Sequence, residues 1–189
     1  HELFETWAGR NPDDVAAVCN DEQLTYGQLN DRAYQLAHHL RKGGVVPEMR
    51  VGICMEPSLQ LVVAMLGILK AGGAYVPLDP SYPKQRLDYM IDDADLSVMV
   101  IDPHQASRFA EAVKNPQINV VELDAAWTTI NQEGTANPDT PLDPDNLAYV
   151  IYTSGTTGAP NGTLVSHHNV VRLFGTTRQY FDFDEHDVW

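Results

Sequence analysis

The chain has 189 residues, of which 43% are hydrophobic and 20% are charged, and this is an ordinary composition for a globular protein with a buried core. Twelve basic side chains stand against 26 acidic ones, which gives a formal net charge of −14. Such an acidic chain argues against nucleic acid or an acidic membrane as its main partner. It does not exclude a phosphate ligand, because backbone dipoles and a bound cation can hold one.

The apolar residues follow strand and helix periods in alternation. A hairpin is predicted from strands 15–19 and 23–25, and further strands are predicted over 50–54, 74–77, 96–101, 118–123, 147–151 and 163–166. Helices are predicted over 1–10, 25–42, 58–71, 84–91 and 106–114, and again from His167 or Asn169. Strands that alternate with helices in this way predict βαβ units and a mostly parallel sheet, so the fold class is α/β.

Capping residues mark the ends of two of these helices. Thr25 followed by Gln28 forms a capping-box pattern, and Ser58 is a candidate N-cap for the next helix. The glycine pairs 43–44 and 72–73 are typical of the C-terminal ends of the same two helices.

The composition changes at residue 131. Residues 131–146 are rich in Asn, Asp, Gly, Thr and Pro, which predicts an exposed connector. We therefore expect residues 1–130 to form a first α/β unit and residues 147–189 to begin a second one. The chain starts at His1 without a methionine, and we expect both of its ends to be cut from something larger.

Cysteine usage and hydropathy bear on the compartment. Cys19 and Cys54 lie in separate strand-like runs without C-x-x-C spacing, and we expect thiols rather than the alternative disulfide. This favours a reducing compartment, the cytoplasm. The longest apolar stretch, 59–69, is too short to span a bilayer, and no secretory signal opens the sequence.

A loop of small hydroxyl residues and glycines follows the apolar strand 147–151. It reads Tyr-Thr-Ser-Gly-Thr-Thr-Gly-Ala-Pro-Asn-Gly over residues 152–162. Hydroxyl groups and freed backbone N–H groups suit a polyphosphate, although ordinary turns have a similar composition. The loop is neither a Walker A sequence nor a dinucleotide fingerprint, and it contains no acid, base or metal ligand. Its expected task is to hold and orient charge.

The whole string resembles the signature loop of adenylate-forming enzymes, Tyr-Thr-Ser-Gly-Ser/Thr-Thr-Gly-x-Pro-Lys-Gly. Asn161 stands where that family has lysine, and every other position fits. Residues 69–80, which read Leu-Lys-Ala-Gly-Gly-Ala-Tyr-Val-Pro-Leu-Asp-Pro, are similar to the second core motif of nonribosomal peptide synthetase adenylation domains. Residues 24–30 resemble their first core motif, and residues 1–5 with 11–13 resemble their opening.

The resemblance implies part of the N-terminal subdomain of an amino-acid-activating adenylation domain. Such a domain forms aminoacyl-AMP from an amino acid and Mg-ATP, and then passes the acyl group to a phosphopantetheine thiol. The implied partners are the amino acid, the remainder of the domain, a peptidyl carrier protein and a neighbouring condensation domain. The implied phosphate-binding residues are Thr153, Ser154, Gly155, Thr156, Thr157 and Gly158.

The family's catalytic lysine and its adenine and amino-acid pockets lie beyond residue 189, so this chain alone is expected to be inactive. Asn161 replaces a long cation with a neutral amide, and we expect weaker ATP binding or slower chemistry, by roughly 1–3 kcal/mol if the family's lysine meets a phosphate. Two alternatives stay open. One is a stand-alone amino-acid or aryl-acid ligase of the same superfamily, and the other is a binding or scaffold module in which Asn161 marks lost catalysis.

Two further groups of polar residues have plain interpretations. Asp92, Asp93 and Asp95 are expected to form a solvated helix end rather than a metal site. His167 and Asn169 match a His-x-Asn pattern of the family, and His167 either shapes the site at a helix start or packs as an ordinary side chain.

Overall fold

The computed structural model describes residues 1–107, 109, 117–154, 160–177 and 180–181. The helices are α1 (Glu2–Arg10), α2 (Tyr26–Lys42), α3 (Leu59–Ala71), α4 (Lys84–Asp93), α5 (Leu123–Ile130) and α6 (His167–Thr177). The strands are β1 (Val15–Cys19), β2 (Glu22–Thr25), β3 (Arg50–Cys54), β4 (Ala74–Pro77), β5 (Val98–Ile101), β6 (Asn119–Glu122), β7 (Leu147–Ser154) and β8 (Pro160–Ser166).

Six of these strands form one sheet, in the order β6-β5-β3-β4-β7-β8, and β1 with β2 forms a separate antiparallel hairpin. Each neighbouring pair from β6 across to β7 is parallel, whereas β8 is antiparallel to β7. The prediction of an α/β fold with a mostly parallel sheet is therefore confirmed. The division into units 1–130 and 147–189 stays a prediction, and β7 lies beside β4 within this one sheet.

Helices cover both faces of the sheet because successive strand side chains point to opposite sides. Val51 and Val100 face a core that they share with α2, α3 and α5. Met99, Ile101 and Tyr152 face a second core, to which α4 contributes its buried side chains. Tyr152, in the strand that leads to the predicted loop, is thereby anchored in the α4 core.

The predicted helix caps are present. Thr25 Oγ1 accepts a hydrogen bond from Gln28 N at 3.3 Å, and Thr25 N donates to Gln28 Oε1 at 3.1 Å. Ser58 Oγ accepts from Leu61 N at 3.1 Å. Gly72 ends α3 with φ of 95°, a left-handed conformation that glycine adopts without strain. Each of these caps depends on residues close in sequence, which is why the sequence predicts them.

Some predicted elements differ from the structure. The helix α5 was not predicted, and the strand predicted over 118–123 runs into its first residue. The strand β8 begins at Pro160 rather than at residue 163, because its pairing with β7 continues to the base of the loop. Most of the helix predicted over 106–114 lies outside the described residues.

The segment 131–146 contains no helix or strand, and side chains of α2 bind along it. Gln35 Nε2 donates to the carbonyl of Asn131 at 3.0 Å, and His38 Nε2 lies 2.8 Å from the carbonyl oxygen of Ala136. Arg41, one turn further along α2, donates to Thr140 Oγ1 at 2.9 Å. The segment therefore has a defined path along α2, although most of its own side chains are exposed.

Cys19 and Cys54 do not form a disulfide; Cys54 is buried and Cys19 is half-buried. No helix in the described ranges is long and apolar enough to cross a membrane.

Candidate functional site

The β7–β8 hairpin carries the predicted phosphate-binding loop. Thr153 pairs with Asn161, and Ser154 pairs with Pro160, which is the last described pair before the loop. Thr153 and Asn161 are exposed. Of the predicted phosphate ligands, Gly155, Thr156, Thr157 and Gly158 lie outside the described residues, and Ser154 is described by its backbone position.

The loop leaves the sheet at the carboxyl ends of the parallel strands. Tyr75 in β4 pairs with Tyr149 in β7, and β7 continues past the end of β4 to Ser154. In open parallel α/β sheets, ligands bind in the crevice outside the carboxyl ends of the strands. The last described pair of the hairpin, Ser154 with Pro160, therefore lies at the edge where this architecture binds its ligands.

Stacked tyrosines hold β7 against β4. The rings of Tyr75 and Tyr149 have centroids 5.4 Å apart and an interplanar angle of 25°. Burial raises the pKa of Tyr75 to about 12, so its hydroxyl stays protonated at neutral pH. The stack fixes the position of β7 before the strand enters the signature sequence.

Tyr152, the first residue of the signature sequence, is 8% exposed and is held from two sides. Its hydroxyl donates a hydrogen bond of 2.6 Å to Oδ2 of Asp93, the last residue of α4. Gly162 pairs with it across the hairpin, and a Cβ added at Gly162 would lie 3.1 Å from Tyr152 Cζ. Burial and then the bond to Asp93 raise the pKa of Tyr152, so the phenol keeps the proton that it donates.

Asp92, Asp93 and Asp95 are all exposed, as expected for a solvated helix end, but Asp93 and Asp95 also have partners. Asp93 accepts from Tyr152 and, at 3.4 Å, from the hydroxyl of Tyr89. Asp95 Oδ2 lies 3.9 Å from Arg50 Nη2. Sequence reasoning missed the bond between Asp93 and Tyr152 because these residues are 59 positions apart. The signal that could have found it is a carboxylate at a helix C-terminus, where the helix dipole disfavours negative charge.

His167 lies at the other edge of the sheet. It follows Ser166, which pairs with the first residue of β7, and the eight residues of that strand span roughly 23 Å. Burial lowers the pKa of His167, and its Nε2 has no hydrogen-bond partner in the described part of the chain. Of the two interpretations left open by the sequence, this position favours plain packing over contact with a phosphate at the loop.

Asn169, the other residue of the His-x-Asn pattern, caps α6. Its Oδ1 accepts from Ser166 N at 3.2 Å, and its backbone N donates to Ser166 Oγ at 3.3 Å. A cleft of about 350 Å³ lies beside this helix start and is lined by apolar side chains, Leu142, Pro144 and Val171 among them, together with charged and polar ones such as Glu2 and Arg172. The cleft and the loop are thus at opposite edges of the sheet, and the cleft contains none of the predicted phosphate ligands.

Comparisons with known proteins agree with the signature sequence. Residues 4–189 match the model of the AMP-binding enzyme family. The chain is 46% identical to malpinin synthetase of Mortierella alpina over 100% of its own length, and 40% identical to bacitracin synthase 1 of Bacillus licheniformis over 99% of it. It spans 2% of the length of the first relative and 3% of the length of the second.

A solved structure shows the same fold. The nonribosomal peptide synthetase FmoA3, in its form bound to α-methyl-L-serine-AMP, is 34% identical to this chain with a TM-score of 0.81. The match covers 96% of this chain and 19% of FmoA3, which has also been solved with AMPPNP. The resemblance to nonribosomal peptide synthetase adenylation domains is confirmed, and the chain belongs to the AMP-binding enzyme family.

Proposed function

We propose that this chain is part of an adenylation domain that activates an amino acid with Mg-ATP. The carboxylate oxygen of the amino acid attacks the α-phosphorus of ATP, aminoacyl-AMP forms, and pyrophosphate leaves. The acyl group then passes to the phosphopantetheine thiol of a carrier protein. The observation that carries the proposal is the signature sequence on a hairpin at the carboxyl edge of the sheet. The aminoacyl adenylate named for FmoA3 is consistent with it.

In this proposal the hairpin positions the leaving group. Thr153 to Gly158 supply hydroxyl and backbone N–H donors that hold the β- and γ-phosphates, so that attack on the α-phosphorus is in line. The contribution of these residues is orientation and charge stabilisation rather than covalent chemistry. Mg²⁺ enters this proposal as part of the MgATP substrate.

The proposed partners extend beyond this chain. The remainder of the adenylation domain would complete the active site, and a peptidyl carrier protein and a condensation domain would be its neighbours in the cytoplasm. Exposed apolar side chains on α6 support a covering partner, since Val171, Leu173 and Phe174 are 52%, 58% and 53% exposed. No buried residue occurs within this helix.

Amino-acid-dependent exchange of pyrophosphate into ATP, measured on the parent domain, tests the proposed function. Exchange that depends on one amino acid supports it and names the substrate. Exchange with an aryl acid, or activation without loading of a carrier protein, favours the stand-alone ligase. A correctly folded parent domain that exchanges with no acid in the panel contradicts adenylation and favours a binding module.

We expect removal of loop hydroxyls to weaken ATP binding selectively. In the parent domain, Thr156→Val and Thr157→Val each remove a donor while keeping the side-chain shape, and each should raise the KM for MgATP roughly 2- to 10-fold. The KM for the amino acid should stay unchanged. Thr163→Val is the matched control, because Thr163 is exposed on β8 outside the loop. Equal effects of all three substitutions would contradict a phosphate-binding role for the loop.

A further inference from the structure

We infer that Asp93 is a positioning residue for the phosphate-binding loop, and that it acts through the hydroxyl of Tyr152. The inference rests on the proposed function for what the loop binds. It concerns a residue in α4, far from the signature sequence along the chain. Its basis is a set of contacts at the base of the β7–β8 hairpin, all of which lie within the described residues.

The first contact joins α4 to the hairpin. Asp93 Oδ2 accepts the Tyr152 hydroxyl at 2.6 Å, and Asp93 Oδ1 accepts the Tyr89 hydroxyl at 3.4 Å. Tyr89 lies one turn earlier in α4, so its hydroxyl helps to fix the orientation of the same carboxylate from within the helix. A hydrogen bond with an ionised acceptor is roughly twice as strong as a neutral one, so this bond can fix the direction of the Tyr152 ring.

The second contact is between the Tyr152 ring and strand β8, so the orientation of the ring also limits the position of β8. The Tyr152 ring lies against Gly162, where an added Cβ would come within 3.1 Å of Cζ and 3.3 Å of the hydroxyl oxygen. Gly162 immediately precedes Thr163 and follows Asn161, and Asn161 pairs with Thr153. The ring is thus confined between the Asp93 carboxylate and the backbone of β8. The next residue pair along the hairpin, Thr153 with Asn161, already belongs to the base of the loop.

Asp93 is at the C-terminal end of α4, where a negative charge does not stabilise the helix, so its role is to be sought in its contacts outside the helix. A carboxylate in the last turn of a helix is disfavoured by the helix dipole, and α4 has no basic residue in its last turn to offset it. Asp92 adds a further negative charge nearby, and Asp95 adds another that has Arg50 at 3.9 Å. The hydrogen bonds that Tyr152 and Tyr89 donate to Asp93 partly offset the unfavourable effect of the helix dipole on its carboxylate.

The consequence is a specific kinetic effect. The orientation of the Tyr152 ring sets the separation and twist of the last two residue pairs of the hairpin, Thr153 with Asn161 and Ser154 with Pro160. Loss of the Asp93 acceptor should therefore misplace the loop without altering the amino-acid site. Small misplacements of positioning groups have large effects on reactions that depend on orientation. Asp93 is therefore expected to influence binding and use of MgATP while leaving recognition of the amino acid unchanged.

The test uses the parent domain with Asp93→Ala, Asp93→Asn and Tyr152→Phe, and with Asp92→Asn as the matched control on an exposed neighbour. Asp93→Ala and Tyr152→Phe should each raise the KM for MgATP roughly 10-fold in pyrophosphate exchange, with the KM for the amino acid unchanged. Asp93→Asn keeps an acceptor oxygen and should recover most of the loss. The double variant Asp93→Ala with Tyr152→Phe should be no worse than either single one.

A second readout does not depend on activity. Hydrogen–deuterium exchange of the amides in 153–162 should rise several-fold in Asp93→Ala and in Tyr152→Phe, while exchange in the central strand β3 stays unchanged. Unchanged KM for MgATP with unchanged exchange, or equal rises of both KM values, would overturn the inference. If the unsubstituted parent domain does not exchange pyrophosphate, the proposed function fails, and amide exchange still decides whether Asp93 orders the hairpin.

Discussion

Replacing Lys70 with methionine is expected to lower the free energy of unfolding of the parent domain by about 3 kcal/mol. The side chain of Lys70 is 0% exposed, and Nζ lies 2.5 Å from Glu5 Oε1 and 2.9 Å from Asn30 Oδ1. Removing one partner of a buried ion pair leaves the other charge without compensation, which is the costly case. The Glu5 side chain is 14% exposed, so water can solvate part of its charge and the loss should lie at the lower end of that class.

The effect should be concentrated in α1 and in the segment 131–146. Glu5 Oε2 also accepts from Asn137 Nδ2 at 3.1 Å, and Thr140 Oγ1 donates to the backbone carbonyl of Lys70 at 3.1 Å. The ammonium group lies 3.8 Å from the centroid of the Tyr34 ring in α2, a cation–π distance. One buried cation thus connects α1, α2, α3 and the connecting segment.

Urea unfolding of the parent domain gives the magnitude, and hydrogen–deuterium exchange gives the location. Lys84→Met is the matched control, because the ion pair between Lys84 and Asp88 is on the surface and should contribute under about 0.5 kcal/mol. The double variant Glu5→Leu with Lys70→Met should regain much of the stability, since it removes both charges. A loss for Lys70→Met as small as that for Lys84→Met would contradict a stabilising role for the cluster.

The same cluster shows which part of the fold could be predicted from the sequence. The caps at Thr25 and Ser58 were predicted because their partners lie three residues away. Lys70 and Glu5 are 65 positions apart, and their contact depends on how α1 packs across α2 and α3. Periodicity indicates that a helix has a buried face, but it does not indicate which polar side chain on that face meets a partner.

The helix α5 illustrates a different limit. Leu123 and Ile130 are buried in it and lie seven positions apart, which is helical spacing, yet the preceding apolar strand reads continuously into Leu123. Element boundaries are weak signals where an apolar strand runs directly into a helix. The structure places the boundary at Leu123 because the pairing of β6 with β5 ends at Glu122.

For a related reason, the sequence predicted the loop of the candidate site but not the residues that support it. The signature sequence indicated the loop, and the topology accounts for its place at the carboxyl edge of the sheet. His167 follows closely in sequence but lies at the other edge, because β8 runs antiparallel to β7. Asp93 is distant in sequence but touches Tyr152. Proximity in sequence was therefore a poor guide to which polar residues support the loop.

Asn161→Lys in the parent domain is expected to lower the KM for MgATP by roughly 5- to 150-fold, which corresponds to about 1–3 kcal/mol. Asn161 is exposed and pairs with Thr153 at the base of the loop, so a longer side chain can extend into solvent without a packing conflict. An ammonium group there would add a positive charge beside the bound phosphates. The KM for the amino acid should stay unchanged, because the added charge acts on the nucleotide.

Asn161→Met separates charge from length in the same pyrophosphate-exchange assay. If lysine lowers the KM for MgATP and methionine does not, the effect comes from the charge, as the proposed phosphate contact requires. Equal effects would mean that side-chain length or strand stability matters instead, and would argue against that contact. Exchange by the lysine variant of an otherwise silent parent would show that Asn161 disables an intact adenylation site. If the folded lysine variant is silent too, this residue does not account for the missing activity, and the binding-module alternative gains support.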